Sequence, residues 1–233
     1  ADANKIVYND INFKVRELLE HLTTSDTKWL LQDITRKTSR FKLAKCNDDA
    51  YYALRESYNS KPASCRNLTE LFLLIMYGFQ QQIRFNSNYD FNNPAGNSSF
   101  NEKIKEKLIS FVAAAKGRNI VLASRDYETY LDEIKEGDFV YLDPPYLITL
   151  GSYNDGKRGF NGWNEREEER LLRFVDELNN RKIRFMMSNV LEHKEKENTI
   201  LKDWISRNGY HVTKYEGKTR GNRKELIITN YTL

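Results

Sequence analysis

Cysteine and histidine are scarce in this chain. Its 233 residues include two cysteines and three histidines. Two cysteines cannot build a disulfide framework, and these few residues give no cluster with the spacing of metal ligands. The sequence therefore predicts no bound metal. It leaves a reducing cytoplasm as the default compartment.

Long apolar runs and targeting signals are also absent. No stretch is long and apolar enough to span a bilayer, and the first residues lack the charged and apolar regions of a signal peptide. Mean hydropathy is −0.72, although 39% of the residues are hydrophobic. This composition is typical of a globular protein without a membrane segment. The net charge of +4 permits a nucleic-acid partner without requiring one.

Glycine is present, but not in the pattern that cradles phosphates. None of the 11 glycines forms a G-x-G-x-x-G motif. A short apolar strand over Lys5–Tyr8 is nevertheless followed by Asp10 and then, from Ile11, by a helical pattern. An acid at such a strand end accepts hydrogen bonds from ribose hydroxyls in nucleotide-binding folds, although a helix N-cap is the alternative. Because the glycine-rich turn would lie upstream, we expect this sequence to be incomplete at its N-terminus.

Proline is rare, and two of the four prolines are adjacent. They follow a short buried strand predicted over Phe139–Leu142 and belong to the sequence Asp143-Pro144-Pro145-Tyr146. Neither proline has an N–H group with which to continue a strand ladder, so the strand ends there. In open α/β sheets, ligands bind beyond the carboxyl ends of the strands. Asp143 and Tyr146 are therefore candidate functional residues, with a simple Asx-type turn as the alternative.

The middle of the chain predicts helices, followed by a polar loop. Helical patterns cover Ala50–Ser57 and Leu68–Tyr77, and six asparagines lie between Asn86 and Asn101. Amide side chains pair with adenine edges, arginine pairs with guanine, and an apolar ring can wedge between stacked bases. The loop between Gly78 and Phe100 therefore has the chemistry to read DNA, with an ordinary surface loop as the alternative.

The rest of the chain alternates strand and helix patterns, which predicts an α/β fold. The predicted elements are a strand at Ile120–Ala123, a helix ending at Asn180, a strand at Ile183–Met187 and a hairpin of His211–Tyr215 with Leu226–Tyr231. The acids of residues 165–169 lie where the helix dipole favours them, so we assign them no catalytic role. The hairpin connection carries Lys218, Arg220 and Arg223, which suit DNA phosphates.

An Asp-Pro-Pro-Tyr sequence after an apolar strand is the signature of amino-group DNA methyltransferases. The fuller set of motifs resembles the Dam-type, D12 class branch, which methylates adenine N6. The matching segments are Asn9-Asp10-Ile11, Gly137–Tyr146, Ser188-Asn189-Val190 and Ile227–Tyr231. Through Tyr146–Thr149 and Asn189–His193 the chain is particularly similar to phage T4-like Dam enzymes. The resemblance covers almost the whole chain.

This resemblance implies a Rossmann-like, seven-stranded methyltransferase sheet with an inserted helical target-recognition domain. The catalytic domain would comprise residues 1–27 and 116–233, and the recognition domain residues 28–115. The family's Phe-x-Gly-x-Gly cofactor motif does not occur in the given sequence. Asn97-Ser98 stands where relatives often carry a second basic residue, so the family's GATC target is not carried over.

The resemblance also implies S-adenosylmethionine as the cofactor. It places Asp10 on the ribose hydroxyls with Ile11 beside it, and Asp126-Tyr127 against the adenine of the cofactor. Asp143 would lie next to the transferred methyl group.

The Asp143-Pro144-Pro145-Tyr146 motif would carry the catalysis. An ionised Asp143 and the carbonyl of Pro144 can only accept hydrogen bonds, so together they would hold both hydrogens of the adenine N6 group. Tyr146 would stack on the base, which must leave the duplex to be reached.

The segment from Gly78 to Gly96 matches the family's target-recognition region. Arg84 would make a bidentate contact to guanine. Phe79, Gln80 and Gln82 would lie at the base-flipping step, while Asn86 and Pro94 would help to read neighbouring bases. Double-stranded DNA is thus the expected partner.

Two other functions remain open on the sequence. The same tetrapeptide serves cytosine-N4 methylation, because cytosine also presents an amino group. Alternatively, the chain is a non-catalytic DNA-binding protein or subunit. In that case it lacks its cofactor segment or receives it from a partner chain.

Overall fold

The computed structural model describes residues 3–149, 163–214 and 224–232, with only the backbone of Lys224. Over these residues the fold is mixed α/β, as predicted, and its contacts divide it into two compact units. The first unit runs to Arg125, and the second takes in the described residues from Asp126 onward. No helix in this part of the chain is long and apolar enough to cross a membrane.

The first unit contains a pair of parallel strands, β1 (Ile6–Asn9) and β2 (Ile120–Ala123), in which Ile6 lies opposite Ile120. Five helices lie between these strands in sequence. They are α1 (Phe13–Thr24), α2 (Thr27–Phe41), α3 (Asp48–Asn59), α4 (Leu68–Tyr77) and α5 (Glu102–Lys116).

Each of these five helices begins after an asparagine or aspartate that caps it. The caps are Asn12, Asp26, Asn47, Asn67 and Asn101. Each side-chain oxygen accepts a hydrogen bond from a first-turn N–H group, which has no partner within the helix. The helix starts are therefore specified locally by the sequence.

Helix α4 forms the centre of the first unit. Its side chains are apolar on nearly every face, and Leu71, Leu73 and Leu74 are fully buried. A helix that is apolar all round requires packing partners on several sides. Helices α1, α2 and α3 all contact it.

The loop of residues 78–100 folds back onto these helices. Antiparallel bridges join Gly78 to Ala95 and Phe85 to Phe91. The rings of Phe85 and Phe91 are buried and meet edge to face, with their centroids 5.5 Å apart. The loop thus has a small apolar anchor of its own.

Side chains of α3 hold the returning half of this loop. The hydroxyl of Tyr51 donates to the carbonyl of Asn93 at 2.9 Å. Asn59 donates to the carbonyl of Phe91 at 3.0 Å and accepts from its N–H group at 2.9 Å. Because these bonds reach the loop backbone, they fix the path of the loop regardless of its outward side chains.

Two glycines permit a close approach of the loop ends. A Cβ atom on Gly96 would lie 2.5 Å from the carbonyl oxygen of Gly78. A Cβ atom on Gly78 would lie 2.6 Å from the carbonyl oxygen of Leu74. Only glycine fits at either position without a backbone shift.

The second unit is built on a five-stranded sheet. Its strands are β3 (Phe139–Leu142), β4 (Arg184–His193), β5 (Lys196–Glu197), β6 (His211–Lys214) and β7 (Lys224–Thr229). Their order is β3-β4-β7-β6, and β5 pairs with β4. Strand β3 is parallel to β4, whereas β7 is antiparallel to both β4 and β6. The predicted C-terminal hairpin is confirmed.

Helices α6 (Glu165–Asn180) and α7 (Thr199–Asn208) contact β4. The predicted apolar stripe of α6 is confirmed, since Leu171, Leu172, Val175 and Leu178 are buried in one core with Phe185 of β4. Each such side chain stabilises the fold by about 1.5–3 kcal/mol on burial. Strand β4 continues six residues beyond the predicted end at Met187.

The predicted domain boundaries are not tested by these contacts. Leu18 and Leu22 of α1 share a buried core with side chains of α2, α3, α4 and α5. Helix α1 is therefore part of the compact first unit. The division into residues 1–27 with 116–233 and residues 28–115 remains a prediction, as does the seven-stranded sheet.

Candidate active site and nucleic-acid interface

Asp143 lies directly after β3, at the carboxyl end of the strand, and is exposed. In the parallel pairing of β3 with β4, Leu142 lies opposite Met187. The next residues along each strand, Asp143 and Ser188, are therefore neighbours at one edge of the sheet. The pairing of these two strands thus brings together a carboxylate and a hydroxyl that are 45 positions apart in the sequence.

The carboxylate of Asp143 is held through one of its oxygens. Its Oδ1 atom accepts hydrogen bonds from the hydroxyl of Ser188 at 2.8 Å and from the hydroxyl of Tyr146 at 2.9 Å. Within the described ranges, no residue donates to Oδ2. The carboxylate is therefore oriented, and one oxygen is available to a substrate.

Tyr146 is half-buried, and its hydroxyl acts as a hydrogen-bond donor. Burial raises the pKa of Tyr146 to about 12, and the neighbouring charge of Asp143 adds to the effect. The phenol therefore stays protonated at neutral pH. Pro144 and Pro145 separate these two side chains, with Pro144 half-buried and Pro145 exposed.

A second carboxylate lies buried beside the middle of β4. Glu168 of α6 is fully buried. Its Oε1 accepts from Asn189 at 3.1 Å and from Asn198 at 2.9 Å, and its Oε2 accepts from the indole of Trp163 at 2.6 Å. Glu168 thus joins the start of α6 to β4 and to the N-cap of α7.

The sequence analysis missed this role of Glu168. The helix dipole alone accounts for an acid at that position, so the local sequence indicates no buried partner. One signal was available, because Glu168 precedes Leu171 and Leu172 by three and four residues. That spacing places it on the buried stripe of the helix.

Asp126 and Tyr127 belong to a polar cluster in the second unit. Arg170 donates to Asp126 at 2.8 Å and to Glu128 at 2.7 Å. The Arg170 guanidinium also lies 5.1 Å from the ring centroid of Tyr127, and the hydrogen bond to Glu128 raises its pKa. The Tyr127 ring also contacts Phe174.

The hydroxyl of Tyr127 is buried, and no described residue forms a hydrogen bond with it. Burial raises its pKa. The half-buried Tyr127 ring packs against Phe174 and beside Arg170, and its contact with the cofactor adenine remains a prediction.

In the first unit, Asp10 lies between β1 and α1. Its Oδ1 accepts from the N–H group of Asn12 at 2.8 Å, and Asn12, rather than Asp10, caps the helix. The N–H group of Asp10 donates to the carbonyl of Ala123 at 3.3 Å. Ile11, which follows, is 45% exposed. An acid at a strand end therefore stands beside an exposed apolar side chain.

The loop of residues 78–100 presents a strained turn. Gln80 and Gln81 have φ angles of +53° and +56°. A residue with a side chain in this region costs on the order of 1–3 kcal/mol, and such strain concentrates at functional sites. Phe79 is 47% exposed, and its N–H group donates to the carbonyl of the exposed Pro94 at 2.8 Å. The turn thus presents Phe79, Gln80 and Pro94 together.

Two arginines of this region have opposite environments. Arg66 donates to the carbonyls of Lys61, Asn59 and Tyr89 and pairs with Asp90 at 2.6 Å. Arg84 has a buried Nε without a partner. No described carboxylate pairs with it either. Arg66 is thus committed to the fold, and Arg84 is not.

The predicted DNA contacts Asn86 and Gln82 are partly engaged within the protein. Asn86 accepts from the N–H groups of Asn88 and Asp90, each at 2.9 Å, and so closes a turn. Gln82 is half-buried and donates to Gln80 at 3.4 Å.

The predicted phosphate contacts Lys218, Arg220 and Arg223 lie outside the described residues. Over the part of the chain that the structure describes, no group of three or more His, Cys, Asp or Glu residues could hold a metal ion.

Comparison with known proteins identifies relatives of the whole chain. Modification methylase StsI of Streptococcus sanguinis is 39% identical over 98% of this chain, and type II methyltransferase M.FokI of Planomicrobium okeanokoites is 38% identical over 100%. The chain spans 36% and 37% of the length of these two proteins.

A more distant relative is the DNA adenine methylase of Escherichia coli strain K12. It is 24% identical over 77% of this chain, which covers 63% of that protein. The likeness to the modification methylases is thus the greater. The sequence predicted a particular similarity to phage T4-like Dam enzymes. The comparisons correct this prediction, because the more similar relatives are modification methylases.

A family model agrees with these relatives. The model described as "D12 class N6 adenine-specific DNA methyltransferase" matches residues 1–219. Because this match covers most of the sequence, the chain belongs to the D12 class of N6 adenine-specific DNA methyltransferases.

Proposed function

We propose that this chain transfers a methyl group from S-adenosylmethionine to the N6 atom of adenine in double-stranded DNA. The observation that carries the proposal is the carboxylate of Asp143, which is oriented through Oδ1 and open at Oδ2. Membership of the D12 class supplies the reaction and favours adenine over cytosine.

The chemistry needed from the protein is modest. The lone pair of adenine N6 is delocalised into the ring, so the amino group is a poor nucleophile. Oδ2 of Asp143 accepts one N6 hydrogen, and the carbonyl of Pro144 accepts the other. These bonds draw the lone pair onto the nitrogen and aim it along the line of attack, a positioning effect worth at most about 7–11 kcal/mol.

S-adenosylmethionine supplies an electrophilic methyl group when it is bound. Asp143 and Pro144 would hold the amino group that receives this methyl, and the extra N6 proton can pass to solvent water after transfer. Asp143 therefore need not remove a proton before methylation. Its task is to hold the amino group in place.

The residues assigned to the cofactor suit its chemistry. Asp10 presents a carboxylate at a strand end, where ribose hydroxyls can donate to it. Ile11 adds an exposed apolar surface beside it. Asp126 and Tyr127 provide a carboxylate and an aromatic ring. We assign these four residues to cofactor binding within a Rossmann-like, seven-stranded sheet.

The loop of residues 78–100 is the proposed DNA-reading element of a recognition domain over residues 28–115. Phe79 enters the duplex where the adenine leaves it, with Gln80 and Pro94 beside it. Arg84 makes a bidentate contact to a guanine, worth about 1–3 kcal/mol of discrimination. The unpaired state of Arg84 supports this assignment. Asn86 and Gln82 support the shape of the reading surface.

The test is to identify the methylated base and the residue on which transfer depends. The full-length protein is incubated with labelled cofactor and plasmid DNA, and the digested nucleosides are analysed by mass spectrometry. We expect N6-methyladenine from the parent protein and none from Asp143→Ala. Asp203→Ala, which removes an exposed carboxylate from α7, is the matched control and should match the parent.

Two results would contradict the proposal. N4-methylcytosine as the product would assign the site to cytosine. Substantial N6-methyladenine from Asp143→Ala would remove Asp143 from the mechanism.

A further inference from the structure

Two hydroxyl groups, rather than one, fix the carboxylate of Asp143. The Tyr146 hydroxyl comes from the same tetrapeptide, so the local turn accounts for its position. The Ser188 hydroxyl comes from a different strand and donates to the same Oδ1 atom at 2.8 Å. The catalytic motif therefore depends on a residue that is 45 positions away in the sequence.

The environment of Ser188 favours this single donation. Its hydroxyl lies 3.4 Å from the carbonyl of Leu142, a longer contact than the bond to Asp143. The hydroxyl of Tyr141 also lies 3.4 Å from Ser188 Oγ, and can donate to it. Ser188 has one hydroxyl hydrogen, and the short bond to a charged acceptor is the strongest use of it.

The part of β4 that carries Ser188 is itself anchored. The next residue, Asn189, is buried and donates to the buried Glu168. Beyond it, the pairing of β4 with β7 shifts register between Val190 and Glu192. A bulge redirects side chains locally, and an anchored residue lies immediately before this one. Asn189 and Glu168 provide that anchor.

Orientation of a carboxylate matters for in-line transfer. With both hydroxyls on Oδ1, rotation of the carboxylate would break two hydrogen bonds. Oδ2 is thus kept as the acceptor for the substrate amino group. Preorganised groups avoid reorganisation during the reaction.

We propose that Ser188 is a positioning residue, which orients the Asp143 carboxylate so that its Oδ2 atom can hold the adenine amino group, and that Glu168 holds Ser188 in place through Asn189. This inference rests on the proposed function. It goes beyond that function because it makes the rate of methyl transfer depend on the Ser188 hydroxyl of β4.

The test is single-turnover methyl transfer by the full-length protein at saturating cofactor and DNA. We expect Ser188→Ala to slow transfer by about 10-fold to 100-fold, the range for a misplaced reacting group. Dissociation constants for DNA and for S-adenosylhomocysteine should match the parent. Ser188→Thr keeps the hydroxyl and should restore most of the rate.

The matched control is Ser206→Ala. Ser206 is exposed on α7 and donates to the carbonyl of Lys202 at 3.0 Å. Its loss removes an equivalent hydroxyl and should leave the transfer rate unchanged. A Ser188→Ala rate within about twofold of the parent would overturn the proposal, as would a loss explained entirely by weaker binding.

A second measurement does not depend on turnover. Urea unfolding of Ser188→Ala, Asp143→Ala and the double variant forms a double-mutant cycle. Non-additive changes in unfolding free energy would support the hydrogen bond, and additive changes would refute it. If the parent protein transfers no methyl group, the proposed function fails while the cycle still decides whether Ser188 and Asp143 are coupled.

Discussion

Two carboxylates of the second unit bind neighbouring residues of β4, Ser188 and Asn189, and have opposite surroundings. Asp143 is exposed and has two hydroxyl donors on one oxygen. Glu168 is fully buried and has three N–H donors shared between both oxygens. The hydrogen bonding of Glu168 within the protein is complete, and that of Asp143 is not. We propose that the open oxygen of Asp143 receives the substrate, whereas Glu168 serves the fold.

The same contrast separates two arginines of the first unit. Arg66 binds three carbonyls and the carboxylate of Asp90. Arg84 keeps a buried nitrogen without a described partner. By the same reasoning, we propose Arg84 as the residue that contacts DNA, whereas Arg66 maintains the loop.

Amide substitutions test the contrast between the carboxylates most strongly. Asp143→Asn should reduce the transfer rate by at least about 100-fold, equivalent to about 2.7 kcal/mol of activation free energy. The free energy of unfolding should change by less than about 0.5 kcal/mol, because the side chain is exposed. Glu168→Gln should instead lower the free energy of unfolding by about 1–3 kcal/mol, since one buried N–H donor would face an amide NH₂ group.

Rate and stability are measured on both variants by single-turnover transfer and by urea unfolding. Glu168→Asp, which keeps the charge but shortens the reach, is a useful control for the anchor. If Asp143→Asn lost stability and Glu168→Gln did not, the contrast would be reversed and the assignment of roles abandoned.

Substitution of Arg84 and of Arg66 tests whether the first reads DNA and the second maintains the fold. Arg84→Gln should relax the sequence preference at one guanine position by about 1–3 kcal/mol, because the bidentate contact is lost. Mapping N6-methyladenine positions on plasmid DNA measures this preference. Arg66→Gln should leave the preference unchanged and lower the free energy of unfolding. An unchanged preference in Arg84→Gln would exclude the guanine contact.

The smallest expected effect concerns the pH dependence of Tyr146. Its pKa in the folded protein is raised from the usual 10 to about 12, first through burial. A group whose folded pKa is raised contributes stability that is complete below the unfolded value and lost as pH rises through the folded value. The parent should therefore lose stability between pH 10 and 12 more steeply than Tyr146→Phe.

Urea unfolding of both proteins across this pH range makes the measurement. The other buried tyrosines titrate in both proteins, so the difference between the two curves isolates Tyr146. Identical slopes would show that Tyr146 is not held in its protonated form by the fold.

The sequence predicted features that depend on near neighbours. The strand before Asp143, the apolar stripe of α6 and the C-terminal hairpin all follow from periodicity and from proline or glycine signals, and the structure confirms that they form. The prediction that the strand is buried was wrong, because Phe139 and Tyr141 are exposed on one face of β3. The position of Asp143 at a strand end was predictable for the same reason.

Features that depend on distant partners were not predictable. Glu168 meets Asn189 and Asn198, which are 21 and 30 residues further along the chain. Ser188 meets Asp143 only because Leu142 pairs with Met187. Composition alone left the loop of residues 78–100 indistinguishable from an ordinary surface loop, because its anchors lie on α3.

The close contact of Gly78 with Gly96 has a consequence for how DNA specificity can diverge. The loop is fixed by backbone contacts, by Tyr51 and by Asn59, none of which is an outward side chain of the loop. Replacing Gln80 or Arg84 therefore changes the reading surface while the scaffold keeps its shape. Under the proposed function, a single substitution at either position would alter the target sequence without removing the contacts that hold the loop.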